Sequence, residues 1–316
     1  MSQAALQATE KNSAKAFGVW SPAVTALDKN LMIDKDRSVA HIRWLLEKGC
    51  HGVTFMGTTS EATSFSADER IELLDAVLAA GVLPARLMVG SGCAALTDSV
   101  KLAAHATAAG CSVLVLPPFY YKGISDDGLY ASYAEIIERV GSADLKLYFY
   151  HFPKLSCVPV THAVIERLLR AYPGAIKGLK DSSGDAEGCA AYIKAFPDLA
   201  IFPGSEMLFL DMLRLGGAGT ITAGANVNAP MLRQLYKTFE SEGDGPAVSA
   251  QQEKINGVRM ALQARPMIPA LKSVISRERE DGAWQRVRPP LTGLSDGQSN
   301  ELAQDLKAAG FVFGEA

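Results

Sequence analysis

A lysine and a tyrosine end two apolar runs that are neighbours along the chain. Lys180 follows the run at 175–179 and precedes a polar turn that contains glycine. A lysine at the mouth of an apolar core is partly desolvated, which favours its neutral amine, and the neutral amine forms Schiff bases with ketones. Tyr150 ends the run at 146–149 and is a candidate proton carrier. A lone lysine in such a place is more often a solvated strand-end residue, so the surrounding elements decide between the two interpretations.

Eight short β-rich runs alternate with longer stretches of helical periodicity. A strand followed by a helix, repeated, predicts parallel strands joined by crossovers, and continuously apolar strands fit a parallel sheet that is buried on both faces. The count of eight favours a closed (β/α)8 TIM barrel over an open doubly wound sheet. The predicted strands lie at 17–20, 52–56, 86–89, 112–116, 146–149, 175–179, 199–202 and 219–222.

The strand signal stops after residue 230, and the rest of the chain has helical periodicity. A capping-box sequence, in which Ser66 precedes Glu69, predicts the start of the helix after the second strand. The predicted organisation is an N-terminal tail at 1–14, a barrel at 15–245 and a C-terminal extension of helices at 246–316 packed on the barrel. The predicted helices of the last third lie at 231–242, 247–263, 267–277 and 299–309.

The composition of the chain excludes several classes of function. The chain has 316 residues, of which 48% are hydrophobic, and a net charge of −3, so neither nucleic-acid binding nor a membrane-binding basic face is indicated. No run approaches the ~20 apolar residues that a membrane-spanning helix needs, and residues 1–11 lack the pattern of a secretory signal. Five widely spaced cysteines and scattered histidines predict free thiols, a cytoplasmic location, no metal and no cofactor.

The predicted strand ends test the hypothesis, because chemistry in a (β/α)8 barrel is placed at the carboxyl ends of the strands. Hydroxyls, small residues and Lys180 converge there. A glycine beside a threonine lets backbone N–H groups approach a ligand closely, and two N–H groups with two hydroxyls suit a carboxylate. The candidate substrate-binding residues at these ends are Gly57, Thr58, Thr59, Gly204, Glu206 and Thr222.

Three motifs stand in order at the predicted strand ends: Gly57-Thr58-Thr59-Ser60-Glu61, Tyr150-His151-Phe152-Pro153 and Gly178-Leu179-Lys180-Asp181-Ser182. Together they resemble the signatures of the N-acetylneuraminate lyase and dihydrodipicolinate synthase superfamily, whose members are class I, pyruvate-dependent aldolases. The resemblance covers roughly residues 15–310. One motif alone would be a weak signal, whereas three in the right order are specific.

The resemblance implies a role for each matched residue. Lys180 would form the Schiff base with the C2 keto group of pyruvate, and Tyr150 would shuttle protons. Thr58 and Thr59 would bind the pyruvate carboxylate. Tyr120 matches a family tyrosine that enters the neighbouring subunit's site, with Thr59 as its link to Tyr150. This match implies a homotetramer built as a dimer of dimers.

Structural roles are the alternative for several of these residues. Tyr120 and Tyr121 could be ordinary interface residues. Turn and cap chemistry explains Ser60, Glu61 and Ser183 better than a direct contact with substrate does.

The region after Tyr150 departs from the pattern of dihydrodipicolinate synthase. In that enzyme an arginine two residues after the turn proline binds the carboxylate of the aldehyde, and here Leu155 stands at that place. An aliphatic side chain cannot make this contact, so Leu155 favours the sialic-acid lyase and sugar-acid aldolase branches. Lys154 is adjacent, but neighbouring residues generally point in different directions. His151 and Cys157 replace the usual asparagine and glycine, and both are predicted to change the pocket wall.

The predicted function is a Schiff-base aldolase or lyase that joins pyruvate to a small aldehyde, or cleaves the resulting 2-oxo acid. A 2-keto-3-deoxy sugar acid or a 4-hydroxy-2-oxo acid is the expected product class. Dihydrodipicolinate synthase and a dehydratase that uses the same lysine imine are the alternatives. A non-catalytic metabolite sensor is disfavoured because Lys180 and Tyr150 are both present. A nicotinamide enzyme is disfavoured because Gly90-Ser91-Gly92, which resembles the start of a dinucleotide-binding fingerprint, lacks the third glycine.

Overall fold

Eight parallel strands form the centre of the molecule. The computed structural model describes residues 15–118 and 123–316. The strands pair in the order β7-β6-β5-β4-β3-β2-β1-β8, and the Ala218 N–H donates to the Ile201 carbonyl (2.9 Å) where β8 meets β7. The predicted (β/α)8 barrel is confirmed. The strands are β1 Gly18–Pro22, β2 Gly52–Phe55, β3 Leu87–Gly90, β4 Ser112–Val115, β5 Leu147–His151, β6 Ile176–Asp181, β7 Ala200–Pro203 and β8 Gly219–Ile221.

A helix follows each strand and returns the chain towards the start of the next strand. The predicted capping box is confirmed, since the Ser66 side chain accepts from the Glu69 N–H and the Glu69 carboxylate accepts from the Ser66 N–H. Other helices begin at an N-cap side chain of the same kind: Asp34, Ser125, Thr161 and Asp185. The helices are α1 Lys35–Glu47, α2 Ala67–Ala79, α3 Leu96–Ala108, α4 Asp126–Val140, α5 His162–Ala171, α6 Ala186–Ala195, α7 Phe209–Arg214 and α8 Ala225–Glu242.

Alternating strand residues fill two apolar layers. Successive side chains of a strand point to opposite faces, so Tyr148 and Tyr150 of β5 lie inside the barrel while Phe149 packs against the helices. By the same alternation, Leu179 of β6 belongs to the helix-facing layer and Lys180 faces the interior. The interior layer consists of Trp20, Met88, Leu114, Leu116, Tyr148, Tyr150, Ala200, Phe202 and Ile221.

Three further helices, α9 Pro246–Gln263, α10 Met267–Glu278 and α11 Asp296–Ala308, follow the barrel. They bury a separate apolar cluster that includes Val24, next to β1, and Val227 of α8. The C-terminal helices therefore pack on the side of the barrel where the first and last strands meet. Among the described residues, no helix combines the length and the apolar character needed to cross a membrane.

Three predicted boundaries were wrong. β5 and β6 continue to His151 and Asp181, so Tyr150 and Lys180 lie inside strands rather than after them. α8 begins at Ala225 and not at 231, because Pro230 does not start the helix but lies within it. The proline is accommodated where Asn228 leaves helical geometry, at φ −113° and ψ 24°. The predicted tail at 1–14 lies outside the described residues.

Candidate active site

Lys180 and Tyr150 form one rung of the barrel sheet. They are direct partners in the pairing of β5 with β6, and the Lys180 Nζ lies 4.5 Å from the centroid of the Tyr150 ring. Both residues are 5% exposed. The strands thus place an amine and a phenol side by side at the top of the apolar barrel interior. Such a pair can supply a nucleophile to a carbonyl carbon and a proton to the oxygen of the same carbonyl group.

The turn after β2, residues 57–61 and hereafter the β2 turn, places a third hydroxyl on this pair. Thr58 Oγ1 lies 3.2 Å from Tyr150 Oη. The link to Tyr150 was expected from Thr59, and the structure assigns it to Thr58. The reason is geometric: the two threonines are consecutive in a 3₁₀ turn of three residues per turn, so only one of them can face the phenol. Beside them Gly57 borders open space, since a Cβ there would meet no atom within 4 Å.

The β2 turn has a strained backbone that hydrogen bonds from neighbouring loops hold in place. Met56 and Glu61, on either side of the 3₁₀ segment, have positive φ angles of 55° and 62°, which for non-glycine residues costs of order 1–3 kcal/mol each. Ser60 Oγ donates to the Ala23 carbonyl (2.5 Å), and Thr25 Oγ1 donates to the Ser60 carbonyl (2.9 Å). Loops near β1 thus hold the strained conformation in place.

Glu61 ends the β2 turn in a fully buried ion pair. Its Oε1 pairs with Lys272 Nζ of α10, and neither side chain has any exposure. Its Oε2 accepts from the Arg288 N–H at 2.7 Å. Burial lowers the pKa of Lys272, and the Glu61 carboxylate opposes that shift. Sequence reasoning missed Lys272, although a lone lysine inside the apolar stretch of α10 was a usable signal.

The predicted binding residues Glu206 and Thr222, after β7 and β8, contact each other, and Glu206 also contacts Arg259. Glu206 and Thr222 are fully buried, and the Thr222 hydroxyl donates to Glu206 Oε2, which also pairs with Arg259 of α9 at 2.8 Å. Gly204 lies where the ends of β6 and β7 approach each other closely. A Cβ on Gly204 would lie only 2.2 Å from Ser182 Oγ, so a larger residue does not fit there. The arrangement favours supporting roles for Glu206 and Thr222.

Leu155 and Cys157 lie in the segment that follows β5. Leu155 lies on the helical turn Pro153–Ser156 and is 37% exposed. Cys157 has a positive φ of 56°, a conformation that glycine adopts more readily than cysteine.

His151 was predicted to alter the pocket wall, and this prediction was wrong. It follows Tyr150 in the strand and therefore points to the opposite face, where its Nδ1 accepts from the Val160 N–H (3.1 Å). Burial lowers the pKa of His151, and Asp181 opposes the shift. The side chain thus belongs to the layer between β5 and the helices. Tyr120 lies outside the described residues, so its predicted contact is not part of this geometry.

A separate cavity of about 310 Å³ lies between α3 and α4. Its lining is mostly aliphatic, with Cys93, Tyr133 and Glu135 among its polar or ionisable members, and it includes neither Lys180 nor Tyr150. Volume alone does not make a catalytic site. The barrel mouth is the stronger candidate because it joins a buried amine, a phenol and a hydroxyl within contact distance.

Comparison with known proteins identifies one family along nearly the whole chain. The dihydrodipicolinate synthetase family model matches residues 15–309. An uncharacterized DapA-like lyase of Chloroflexus aurantiacus is 34% identical over 299 residues, which cover 94% of this chain and 96% of that protein.

Solved structures agree in fold. The crystal structure of dihydrodipicolinate synthase from Agrobacterium tumefaciens is 30% identical, has a TM-score of 0.84 and covers 93% of this chain and 99% of its own. YagE, an E. coli K12 prophage protein of the dihydrodipicolinic acid synthase family solved with pyruvate, has a TM-score of 0.86 at 21% identity and covers 94% and 99%. This chain belongs to the dihydrodipicolinate synthetase family, and it is a carbon–carbon lyase of the class I aldolase type.

Proposed function

We propose that Lys180 forms a Schiff base with pyruvate and that the enzyme joins this pyruvate to a small aldehyde, or runs the reverse cleavage. The observation that carries the proposal is the buried rung in which the Lys180 Nζ lies 4.5 Å from the Tyr150 ring centroid. The pyruvate complex of the E. coli prophage protein supports the same 2-oxo acid here. Gly57, Thr58 and Thr59 are the proposed site for its carboxylate.

In the proposed reaction the Lys180 amine attacks C2 of pyruvate, and the carbonyl oxygen takes up a proton to give a carbinolamine. A second proton lets the oxygen leave as water and gives an iminium ion. Loss of a C3 proton then gives an enamine, whose C3 attacks the aldehyde carbon while the aldehyde oxygen is protonated. Water hydrolyses the new iminium, which releases the product and the free lysine. Tyr150, in contact with the Thr58 hydroxyl, supplies and removes these protons.

The aldehyde is proposed to be an uncharged hydroxyaldehyde. The proposal rests on Leu155, whose exposed aliphatic side chain on the turn Pro153–Ser156 offers no partner for a carboxylate. The product would then be a 2-keto-3-deoxy sugar acid or a 4-hydroxy-2-oxo acid.

Two alternatives share the same lysine imine. The relative from A. tumefaciens is named as a dihydrodipicolinate synthase, and its 30% identity favours that function as the second candidate. A dehydratase of 2-keto-3-deoxy sugar acids would expel water and release no pyruvate. Analysis of the products of a 2-keto-3-deoxy sugar acid for free pyruvate separates the dehydratase from the aldolase, because only the aldolase releases pyruvate.

The assembly is proposed to be a cytoplasmic homotetramer, a dimer of dimers. The support is the sequence match of Tyr120 to the family's cross-subunit tyrosine and the five free cysteines, which suit a reducing compartment. Light scattering on the active enzyme tests the tetramer, and a fully active monomer would contradict it.

Trapping with borohydride tests the central proposal. Incubation with pyruvate and borohydride should add one reduced pyruvyl group per chain, and peptide mapping should locate it at Lys180. Lys177→Ala is the matched control, since Lys177 lies on the same strand, in β6, and should leave the modification intact. Modification that survives Lys180→Ala, or its absence from the wild-type enzyme, would contradict the Schiff-base mechanism.

A further inference from the structure

The chain that follows the barrel binds both carboxylate oxygens of Glu61. Lys272 of α10 pairs with Oε1, and the Arg288 N–H, in the segment after α10, donates to Oε2 at 2.7 Å. Lys272 Nζ also donates to the Arg286 carbonyl at 2.7 Å. The carboxylate that ends the β2 turn is thus bound on both sides by the chain beyond residue 270.

Glu61 is separated from Thr58 by two residues of one compact turn. The Glu61 N–H donates to the Thr58 carbonyl (3.0 Å), and the Ala62 N–H donates to the Gly57 carbonyl (3.1 Å). A shift of the Glu61 backbone therefore moves the backbone of Thr58 and, with it, the hydroxyl that contacts Tyr150. The positive φ of Glu61 means that the turn would relax if its side chain were released.

Stability alone does not account for this ion pair. Replacing a buried pair by apolar residues of similar volume is often neutral for stability, because the desolvation of both charges offsets their attraction. A pair in the C-terminal region offers a contrast: Arg265, which follows the end of α9, binds Asp305 of α11 at 2.8 Å. That pair ties two helices together without contacting the β2 turn.

We infer that Lys272 and Glu61 are positioning residues, which hold the β2 turn in the conformation that binds the carboxylate of the 2-oxo acid. The inference rests on the proposed function and deepens it. On this view the C-terminal helices set the affinity for pyruvate, although none of them supplies a catalytic residue.

The double variant Glu61→Gln/Lys272→Met removes both charges without stranding either one. Borohydride trapping across a pyruvate series should give a half-saturating concentration about tenfold higher than wild type, the scale of losing one well-placed charge-assisted contact. At saturating pyruvate the modification should still reach Lys180. Arg265→Met, the matched control, should keep the wild-type half-saturating concentration. Glu61→Gln alone leaves the buried Lys272 ammonium without its counter-ion, so it should give a shift in the same direction that is at least as large.

Hydrogen exchange provides a readout that is independent of catalysis. The amides of Ser60, Glu61 and Ala62 donate within the β2 turn, so they should exchange faster in the double variant and at the wild-type rate in Arg265→Met. Unchanged exchange together with an unchanged trapping curve would overturn the inference. An equal shift in both variants would also overturn it, because the effect would then be general destabilisation. Wild-type protein that traps no pyruvate contradicts the proposed function instead, and exchange alone then decides whether Lys272 positions the turn.

Discussion

Tyr150 carries a hydroxyl that touches Thr58 and a ring that packs inside the barrel. Tyr150→Phe keeps the ring and removes the proton carrier, so the fold should be retained while kcat falls by roughly 10²–10³, the usual scale for losing a general acid–base. Steady-state kinetics of pyruvate release measures the effect. Tyr148→Phe is the control, since Tyr148 is buried on the same strand and its hydroxyl accepts from the Ala16 N–H (2.7 Å) instead of contacting Thr58. A change below about threefold in the Tyr150 variant would remove it from the mechanism.

Leu155 should decide which aldehyde is accepted. An aliphatic wall strands the carboxylate of aspartate semialdehyde, and an unpaired charge away from water costs several kcal/mol. The wild-type enzyme should therefore use aspartate semialdehyde at least ~100-fold less efficiently than its own aldehyde, because each ~1.4 kcal/mol is a factor of ten. Leu155→Arg should raise activity with aspartate semialdehyde and lower it with neutral hydroxyaldehydes.

The control for that substitution is Leu155→Met, which conserves volume and charge and should leave the preference unchanged. Efficient condensation of aspartate semialdehyde by the wild type would show that another group, with Lys154 the nearest in sequence, holds the carboxylate. Dihydrodipicolinate synthase would then be the better assignment.

Single residues mark where sequence reasoning succeeded and where it stopped. Lys180 and Tyr150 were predicted to share the barrel mouth because each ends an apolar run, and they pair in the sheet. The choice between Thr58 and Thr59 was not accessible, since it depends on the rotation of a 3₁₀ turn. The burial of Glu206 was equally hidden, because its partner Arg259 is distant in sequence.

The loops that follow the strands use glycine for opposite reasons. A Cβ on Gly57 would meet only open space, whereas one on Gly204 would press against Ser182 Oγ and lie 2.9 Å from the Asp181 carbonyl. Gly57→Ala should therefore leave thermal stability unchanged and raise the half-saturating pyruvate concentration. Gly204→Ala should lower the free energy of unfolding by about 1–3 kcal/mol, the usual cost of overpacking. Urea unfolding and pyruvate trapping check the two effects, and the reverse assignment would contradict this account.

Whole elements were predicted well where one local signal dominates. The eight strands follow from continuous apolar runs, and the start of α2 follows from its capping box. Boundaries failed where tertiary contacts override local preference. β6 carries Lys180 and Asp181 as strand residues because β5 and β7 pair with them, and α8 continues through Pro230 because Asn228 absorbs the distortion.

Stability of the whole molecule should depend on pH through His41. This side chain is fully buried between α1 and the C-terminal helices, and burial, assisted by Arg279, lowers its pKa to about 3. Its ordinary value is about 6.5, so between about pH 3 and about pH 6.5 the unfolded chain binds the extra proton. The stability held above about pH 6.5 is therefore lost progressively as the pH falls through this window.

His41→Gln tests this dependence because glutamine keeps one donor and one acceptor for Asn226 and Arg279 but does not titrate. The variant should be less stable than wild type at pH 7, since its packing is imperfect. At pH 5 the difference should narrow by about 2 kcal/mol, from ~1.5 pH units at ~1.4 kcal/mol each. Urea unfolding at both pH values measures it, and a difference that does not change with pH would contradict the assignment.

Hydrogen bonds keep neighbouring strands about 4.8 Å apart, so the backbone sets the spacing of Lys180 and Tyr150. The side chain proposed to meet the aldehyde, Leu155, instead sits on the turn Pro153–Ser156 beyond the strand. Mutations in this turn can therefore change which aldehyde is accepted, while Lys180 and Tyr150, the residues proposed to activate pyruvate, keep their spacing. A directed-evolution library confined to this turn should yield new aldehyde preferences in clones that still trap pyruvate.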